Sequence, residues 1–173
     1  MPIPSRILRG TRRDYTIDYL TQHVGAELAP GERRLLGMVL PPWQRAEVWS
    51  EAQKRRFVEG IFLGFGCGYY VINGLDWDAG GRRPMAGWLL DGQQRISALR
   101  DFFEDRLVVF GDVLFSSLSE PQVLRFRREQ FPCFELEYTA DENQLKELYD
   151  RLNFGGTAHT REERVVPQQA NRS

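Results

Sequence analysis

The chain has 173 residues, of which 42% are hydrophobic, 27% are charged and 12% are aromatic. These fractions are typical of one folded domain and exclude a disordered chain or a multi-domain machine. The formal net charge is −1, although residues 1–60 hold ten basic side chains against seven acidic ones. A net charge so close to zero argues against a protein that binds DNA tightly and independently of the DNA sequence.

The sequence contains no candidate membrane span. The longest apolar runs, at residues 61–65 and 107–110, are far shorter than the roughly 20 residues that a spanning helix needs. No signal-peptide pattern follows the N-terminal arginines. Cys67 and Cys133 are far apart and neither has a CxxC partner, which argues against a disulfide framework or a zinc ribbon. We therefore expect a cytoplasmic protein.

The spacing of apolar residues predicts alternating helices and strands. In chain order these are a helix over 14–28 capped by Asp14, a strand over 35–40, a helix from Ser50 to about Gly64, a strand over 69–72, a polar loop over 73–84, a strand over 88–90, a helix after Asp91, a strand over 107–110, a helix over 121–130, a strand over 134–138 and a helix over 141–153. The clearest helix start is Ser50, because Gln53 follows at the spacing of a capping box. The pattern predicts a mixture of α-helices and β-strands.

A polar segment, Asp91 to Arg95, stands between a predicted strand and a predicted helix. Helix N-termini present unpaired N–H groups and partial positive charge, so an anion is stabilised there, and Gly92 allows it to approach the backbone. Arg95 adds donors for phosphate oxygens, Asp91 could hold Mg²⁺ or orient a nucleophile, and the amides of Gln93 and Gln94 could position a water or a substrate hydroxyl. On spacing alone, the simpler alternative stays open that Asp91 only caps the helix.

A second polar segment follows two consecutive prolines. Gln44 and Arg45 on this stiff turn could reach a phosphate, and Trp49 could stack on a base. The alternative is that Trp43 and Trp49 are core aromatic residues that cover the turn.

A third segment, residues 151–160, leaves the last predicted helix. Gly155 and Gly156 could form a backbone nest around an anion, with the hydroxyl of Thr157 as a further donor. The alternative is an ordinary glycine C-cap. His159 lies beside these glycines, whereas His23 has no partner pattern in the first predicted helix.

Several enzyme classes are excluded. Neither lysine belongs to the Gly-Lys-Ser/Thr ending of a Walker A loop, and no Gly-x-Ser-x-Gly elbow is present. Two histidines and two cysteines cannot build a zinc-finger-type HNH nuclease within these residues.

Three segments, PPWQR with Trp49, LLDGQQRISAL and RLNFGGT, resemble in order and spacing the DGQQR-motif family. That family supplies the N-terminal domain of GmrSD-type modification-dependent restriction enzymes and belongs to the ParB/sulfiredoxin-like superfamily. The resemblance implies one ParB-like α+β domain over residues 1–163, a small mixed sheet with surrounding helices. After Thr160 the chain turns charged and then polar, which predicts a disordered tail over residues 164–173. The resemblance also implies a bacterial cell or a phage-infected host.

The resemblance further implies a site for Mg²⁺ and a nucleoside triphosphate, which could be ATP, GTP, CTP or UTP. Asp91, Gln93, Gln94 and Arg95 would be its catalytic core, with Asp91 as the Mg²⁺ ligand. Nucleotide and phosphate contacts would come from Gln44, Arg45, Gly92, Asn153, Gly155, Gly156 and Thr157. The chain departs from the family at Ala158 and His159, and at Gly66 and Cys67, which leaves the shape of those two loops open.

These features favour a nucleotide-dependent enzyme that catalyses NTP hydrolysis or phosphoryl transfer in DNA restriction, defence or phage DNA modification. DNA is an expected partner, and nicking would need a nuclease or modification partner protein. One alternative is a kinase that phosphorylates a hydroxymethylated pyrimidine in phage DNA. Another is a module that binds nucleotide or DNA without turning it over.

Overall fold

A four-stranded sheet lies at the centre of the computed structural model, which describes residues 2–22 and 27–154. The strands are β1 (Gly10–Arg13), β2 (Arg33–Leu35), β3 (Met38–Leu40), β4 (Tyr70–Ile72), β5 (Trp77–Asp78), β6 (Gly81–Arg82), β7 (Leu89–Asp91) and β8 (Cys133–Leu136). The helices are α1 (Tyr19–Gln22), α2 (Glu51–Phe62), α3 (Gln93–Phe103), α4 (Glu120–Arg127) and α5 (Glu142–Phe154), with a 3₁₀ turn at Phe115–Ser117.

The central sheet is mixed and has the order β1-β8-β4-β7. β8 runs antiparallel to β1 and parallel to β4, and β4 runs antiparallel to β7. Two further pairs, β2 with β3 and β5 with β6, form separate two-stranded ribbons. The predicted small mixed sheet with surrounding helices is confirmed.

The sheet separates two apolar clusters because successive side chains of a strand point to opposite faces. On β4, Tyr70 and Ile72 belong to the larger cluster, which also contains residues of α2, α3 and α4. Val71 lies in the smaller cluster, with Leu90 of β7 and Leu148 of α5. α3 and α5 thus pack on opposite faces of the sheet near β7. The first residues of α3 and the last turn of α5 meet around Asp91.

Helix signals that depend on nearby residues are confirmed. The Ser50 side chain accepts from the Gln53 amide, and the Gln53 side chain accepts from the Ser50 amide, so α2 begins with the predicted capping box. α3 and α5 also lie where the apolar spacing predicts them. None of the helices in the described part of the chain has the length and apolar character needed to cross a bilayer.

The predicted first helix is wrong over most of its described length. Residues 14–16 are not helical and residues 17–18 form a turn that is held by the end of α4 and the residues after it: the Ile17 amide donates to the Glu129 carbonyl at 2.9 Å and the Asp18 amide to the Arg127 carbonyl at 2.9 Å. Only Tyr19–Gln22 is helical among the described residues. Ile17 in the turn and Leu20 in the short helix are both fully buried, so two buried residues at a helical spacing did not require one continuous helix.

The apolar run at 35–40 is not one strand but the β2–β3 hairpin. Its turn contains Leu36 at a φ of 50°, a left-handed conformation that a leucine does not signal. The predicted strand at 107–110 is also wrong, because Val109 makes only an isolated bridge to Val113. The predicted loop at 73–84 contains the β5–β6 hairpin, and β1 was not predicted.

Residues 155–173 lie outside the described residues, so the tail predicted over 164–173 and the domain boundary at 163 stay predictions.

Candidate functional site

A cleft of about 190 Å³ opens at the junction of β7 and α3. Its described lining is Arg45, Trp49, Asp91, Gly92, Gln93, Gln94, Arg95, Leu152 and Asn153. The structure therefore brings together seven of the predicted site residues: Arg45, Asp91, Gly92, Gln93, Gln94, Arg95 and Asn153. They come from three segments that are distant in sequence.

The start of α3 is free of a side-chain cap. Its N-cap residue is Gly92, at a φ of 107°, and the first intrahelical bond runs from the Ile96 amide to the Gly92 carbonyl at 2.9 Å. By contrast, the Ser50 side chain caps α2, and the Asp141 side chain accepts from the first amides of α5. The amides of residues 93–95 are thus left at the cleft, where an anion would be stabilised.

Glycine is required at position 92. A Cβ there would lie 2.6 Å from Cβ of Tyr70, and the left-handed φ disfavours any other residue. Asp91 is the last residue of β7, so the alternative in which it caps α3 is not what the structure shows.

Asp91 and Arg95 form an ion pair inside the cleft, with 3.1 Å between Oδ2 and Nη2. Burial raises the pKa of Asp91 above its ordinary value, against the opposing effects of Arg95, the Gly92 amide and Arg45. The Asp91 side chain is nevertheless 24% exposed. An accessible carboxylate with a raised pKa is suited to proton transfer.

The two glutamines bind the backbone of the Arg45–Trp49 loop. Gln93 Nε2 donates to the Arg45 carbonyl at 3.1 Å. Gln94 Oε1 accepts from the amides of Val48 at 3.0 Å and Trp49 at 3.1 Å. These bonds join the loop that carries Arg45 to the first turn of α3.

A charge cluster fixes the same loop from outside the cleft. Lys54 Nζ lies 2.8 Å from Glu47 and 2.6 Å from Asp101, and Arg100 also pairs with both carboxylates. Although burial raises it, bonds from Lys54, Arg106 and Arg100 lower the pKa of Asp101 to about 2. The cluster therefore stays ionised at neutral pH and ties the loop to α2 and α3.

α5 closes the third side of the cleft. Asn153 Nδ2 donates to the Leu90 carbonyl at 3.1 Å and to the Tyr149 carbonyl at 2.8 Å. The Tyr149 hydroxyl interacts with the backbone of Arg45. Trp43 packs edge-on against Tyr149 and Trp88, with ring centroids 5.1 and 5.9 Å apart, and so has the core role that was the alternative to base stacking.

One of the predicted nucleotide contacts, Gln44, is not among the described lining residues of the cleft. Gln44 is buried beside it, and its carbonyl accepts from Arg33 Nη2 at 2.9 Å. Gly155, Gly156 and Thr157 lie outside the described residues, as do His23 and His159.

The loop that receives Arg95 was not predicted as part of the site. Arg95 Nη1 donates to the Cys67 carbonyl at 3.4 Å, and the guanidinium lies directly against Gly68. Gly64, Gly66 and Gly68 all have positive φ. Glycines at every second position were the available signal for a backbone held close to another group.

We expect Gly68→Ala to weaken anion binding in the cleft. The added Cβ would lie 2.5 Å from Arg95 Nη1, so the guanidinium must move. Gly66→Ala is a matched control, because its φ of +77° resembles the +70° of Gly68 and its Cβ would meet nothing within 4 Å. Both variants should lose roughly 1 to 2 kcal/mol of stability from left-handed strain.

Isothermal titration with inorganic phosphate and with ATP checks this expectation. Only Gly68→Ala should weaken the affinity, by roughly the tenfold effect of disturbing one charge-assisted bond. Equal affinities in the two alanine variants would mean that Arg95 does not contact the anion.

The donor set of the cleft fits Mg²⁺ in one way only. Asp91 is the single carboxylate among the described lining residues, and no group of three or more His, Cys, Asp or Glu side chains suited to a metal occurs in residues 2–22 and 27–154. Mg²⁺ is commonly held by one or two carboxylates together with substrate phosphates. The residues present fit a cation that arrives with its nucleotide.

A family model described as the N-terminal domain of GmrSD restriction endonuclease matches residues 27–122, more than half of the chain. The matched region includes the loop of Arg45 and the whole of α3. Comparisons with curated proteins and with solved structures gave no match. The ParB/sulfiredoxin-like superfamily assignment stays a prediction.

Proposed function

The chain belongs to the family of GmrSD restriction endonuclease N-terminal domains, and from this premise we propose that its cleft binds a nucleoside triphosphate with Mg²⁺ and transfers a phosphoryl group. The acceptor is water or a hydroxyl, and the setting is DNA restriction or modification. One observation carries the proposal: two arginines, an uncapped helix start and one carboxylate converge on the same cleft.

The positive groups of the cleft suit a polyphosphate. Arg95 supplies a planar fork of donors, Arg45 lies close enough to lower the pKa of Asp91, and the amides of residues 93–95 add partial positive charge. Phosphoryl transfer depends mainly on positioning and on charge stabilisation at the transferred group. These residues provide both.

Asp91 is the group that acts on the attacking oxygen. Its raised pKa lets the carboxylate accept a proton from a water or a substrate hydroxyl. Bound Mg²⁺ would neutralise phosphate charge, with Asp91 as its protein ligand. Asp91 is paired with Arg95. A phosphate that draws Arg95 away would leave the Asp91 carboxylate open to the attacking water or hydroxyl, or to Mg²⁺.

Gln93 and Gln94 act as positioning residues in this proposal. Their amide groups bond to the backbone of the Arg45–Trp49 loop and so hold the loop that carries Arg45 against the start of α3. The same contacts favour a second candidate function, a module that binds nucleotide and changes shape without turnover, because a ligand that moves the loop would also move α3. Wild-type turnover separates the two candidates.

The test is phosphate release from ATP, GTP, CTP and UTP with Mg²⁺, with and without DNA that carries normal or hydroxymethylated bases. Arg95→Ala should reduce release at least about a hundredfold. Arg125→Ala is the matched control, since Arg125 is exposed on α4 outside the cleft. Its rate should equal that of the wild type.

The outcomes separate the alternatives. Phosphate release that Arg95→Ala abolishes supports hydrolysis, and label that appears on hydroxymethylated DNA supports the DNA-base kinase. Nucleotide binding without release or transfer from any of the four nucleotides supports the binding module. Unchanged activity in Arg95→Ala would overturn the proposed site.

A further inference from the structure

The loop that carries Arg45, residues 45–49, contains no helix or strand. Its position therefore depends on the groups that bind it. Gln93 and Gln94 bind its backbone from the first turn of α3. Because both glutamines stand at the same end of that helix, their bonds alone would let the loop pivot about this end. The direction of the Arg45 side chain thus requires a second attachment.

Glu47, in the middle of the loop, supplies that attachment outside the cleft. One of its carboxylate oxygens lies 2.8 Å from Lys54 Nζ, and the other lies 2.9 Å from Nη2 of Arg100. Lys54 belongs to α2 and also binds Asp101 on α3, at 2.6 Å. Arg100 and Asp101 stand nearly two turns after Gln94, about 10 Å further along the axis of α3. The loop is therefore fixed at two separated points of the same helix.

The ion pairs of Glu47 persist at neutral pH. Although burial raises it, bonds from Lys54 and Arg100 lower the pKa of Glu47 below its ordinary value. The Lys54 side chain is only 12% exposed, so water and salt screen its pair with Glu47 less than they screen a surface pair. The attachment is thus present under the conditions in which nucleotide would bind.

We propose that Glu47 is a positioning residue for phosphate binding, because its ion pairs with Lys54 and Arg100 fix the direction in which the loop presents Arg45 to the cleft. This inference rests on the proposed function, which assigns Arg45 to a bound polyphosphate. Glu47 does not belong to the described lining of the cleft. It therefore acts through Arg45, two residues earlier in the chain.

The sign of the effect separates positioning from simple electrostatics. Glu47 is a negative charge close to a site for anions, so its removal would strengthen phosphate binding if only its electric field mattered. If Glu47 positions Arg45, the same removal weakens phosphate binding, because the charge-assisted bond from Arg45 is lost. A residue that only stabilised the fold would change the affinity in neither direction while the protein stays folded.

The experiment is isothermal titration of Glu47→Gln with inorganic phosphate and with ATP, both without Mg²⁺. We expect the affinity to fall roughly tenfold, the effect of one lost charge-assisted bond. Glu147→Gln is the matched control, because it removes the same charge from an exposed ion pair on α5 outside the described lining of the cleft. Its affinity should equal that of the wild type.

A second variant removes the attachment from the side of α2. Lys54→Met should weaken phosphate binding in the same direction as Glu47→Gln, and Lys54→Arg, which keeps the positive charge, should restore part of the affinity. Urea unfolding shows that each variant is folded under the conditions of the titration. Glu47→Gln leaves the pair of Lys54 with Asp101 in place, so the contact between α2 and α3 is kept.

A double-mutant cycle shows whether Glu47 acts through Arg45. Arg45→Ala should weaken phosphate binding by about tenfold or more, and Glu47→Gln added to it should change the affinity by less than about twofold. Hydrogen exchange gives a readout that needs no ligand. The amides of Val48 and Trp49 should exchange faster in Glu47→Gln than in the wild type, because the loop then depends on Gln94 alone at that point.

The outcomes keep this inference apart from the proposed function. Weaker binding in Glu47→Gln, with no further loss in the double variant and no loss in Glu147→Gln, supports the positioning role. If the wild type binds phosphate or ATP, then unchanged or tighter binding in Glu47→Gln, or a loss that adds fully to that of Arg45→Ala, overturns this inference and leaves the proposed function intact. A wild type that binds neither anion overturns the proposed function, and the inference with it.

Discussion

Asp91→Asn should abolish turnover while the protein still binds nucleotide. An amide cannot accept the proton of an attacking water or hydroxyl, so we expect the rate to fall by about a hundredfold or more. Nucleotide affinity measured without Mg²⁺ should stay within a factor of roughly three, because Arg45, Arg95 and the helix amides are unchanged. Single-turnover phosphate release and equilibrium binding, measured on the same samples, check both parts.

The same substitution should stabilise the fold in a pH-dependent way. Burial raises the pKa of Asp91 above its ordinary 3.8, so the folded state holds this proton more tightly than the unfolded state. The wild type therefore loses stability as pH rises from that ordinary value through the folded pKa, and the loss is constant above it. Asp91→Asn avoids this loss, so its Tm should exceed that of the wild type at pH 7 and match it near pH 3.

Asp112→Asn is the matched control for both measurements. Asp112 is exposed in the turn after Phe110 and does not line the cleft. It should change neither turnover nor the pH dependence of Tm. Full turnover in Asp91→Asn would remove Asp91 from the mechanism and move the proton transfer to another group.

The parts of the fold that the sequence predicted depend on neighbouring residues. The capping box that defines the start of α2 consists of Ser50 and Gln53, which are only three residues apart. The apolar spacing that predicts α3 likewise lies entirely within that helix. The predicted first helix was wrong because of distant pairing. Residues 17–18 are held by the end of α4 and the residues after it, more than a hundred residues away, and no local pattern reports those bonds.

Seven of the nine described lining residues of the cleft were predicted as site residues, but their contacts were not predicted. The motif resemblance grouped Arg45 with Gln93, which are 48 residues apart, and the structure places them in contact. It did not indicate that Gln93 and Gln94 bind loop backbone, because amide side chains bond equally well to backbone or to substrate. Nor did it indicate Gly68. The lack of a side chain at Gly68 leaves room for the Arg95 guanidinium, and this contact is visible only in the structure.

Glu32→Gln should cause the largest loss of stability, about 3 to 5 kcal/mol at pH 7. The Glu32 side chain is 2% exposed, and its carboxylate accepts from Arg82 at 2.5 Å, from Trp88 Nε1 at 2.6 Å and from the Ala29 amide at 2.8 Å. Glutamine offers one acceptor oxygen and leaves the buried charge of Arg82 uncompensated. Urea unfolding of the wild type and of Glu32→Gln measures this loss. The loss is a large part of the roughly 5 to 15 kcal/mol that is the usual free energy of unfolding of a domain.

Glu147→Gln is the control for a surface charge, since Glu147 and Arg151 form an exposed ion pair on α5. It should cost less than about 1 kcal/mol. The pH profile gives a second check. Although burial raises it, bonds from Trp88, Ala29 and Arg82 lower the pKa of Glu32, so its contribution is present above the ordinary 4.5 and is lost as pH falls through the folded pKa.

The double variant Glu32→Gln with Arg82→Met separates the ion pair from the other two hydrogen bonds. Removing both charges avoids the unpaired guanidinium, so the double variant should be more stable than Glu32→Gln alone. No recovery would mean that the bonds from Trp88 and Ala29 account for the loss. Recovery would show that the charge of the Glu32–Arg82 pair accounts for the loss.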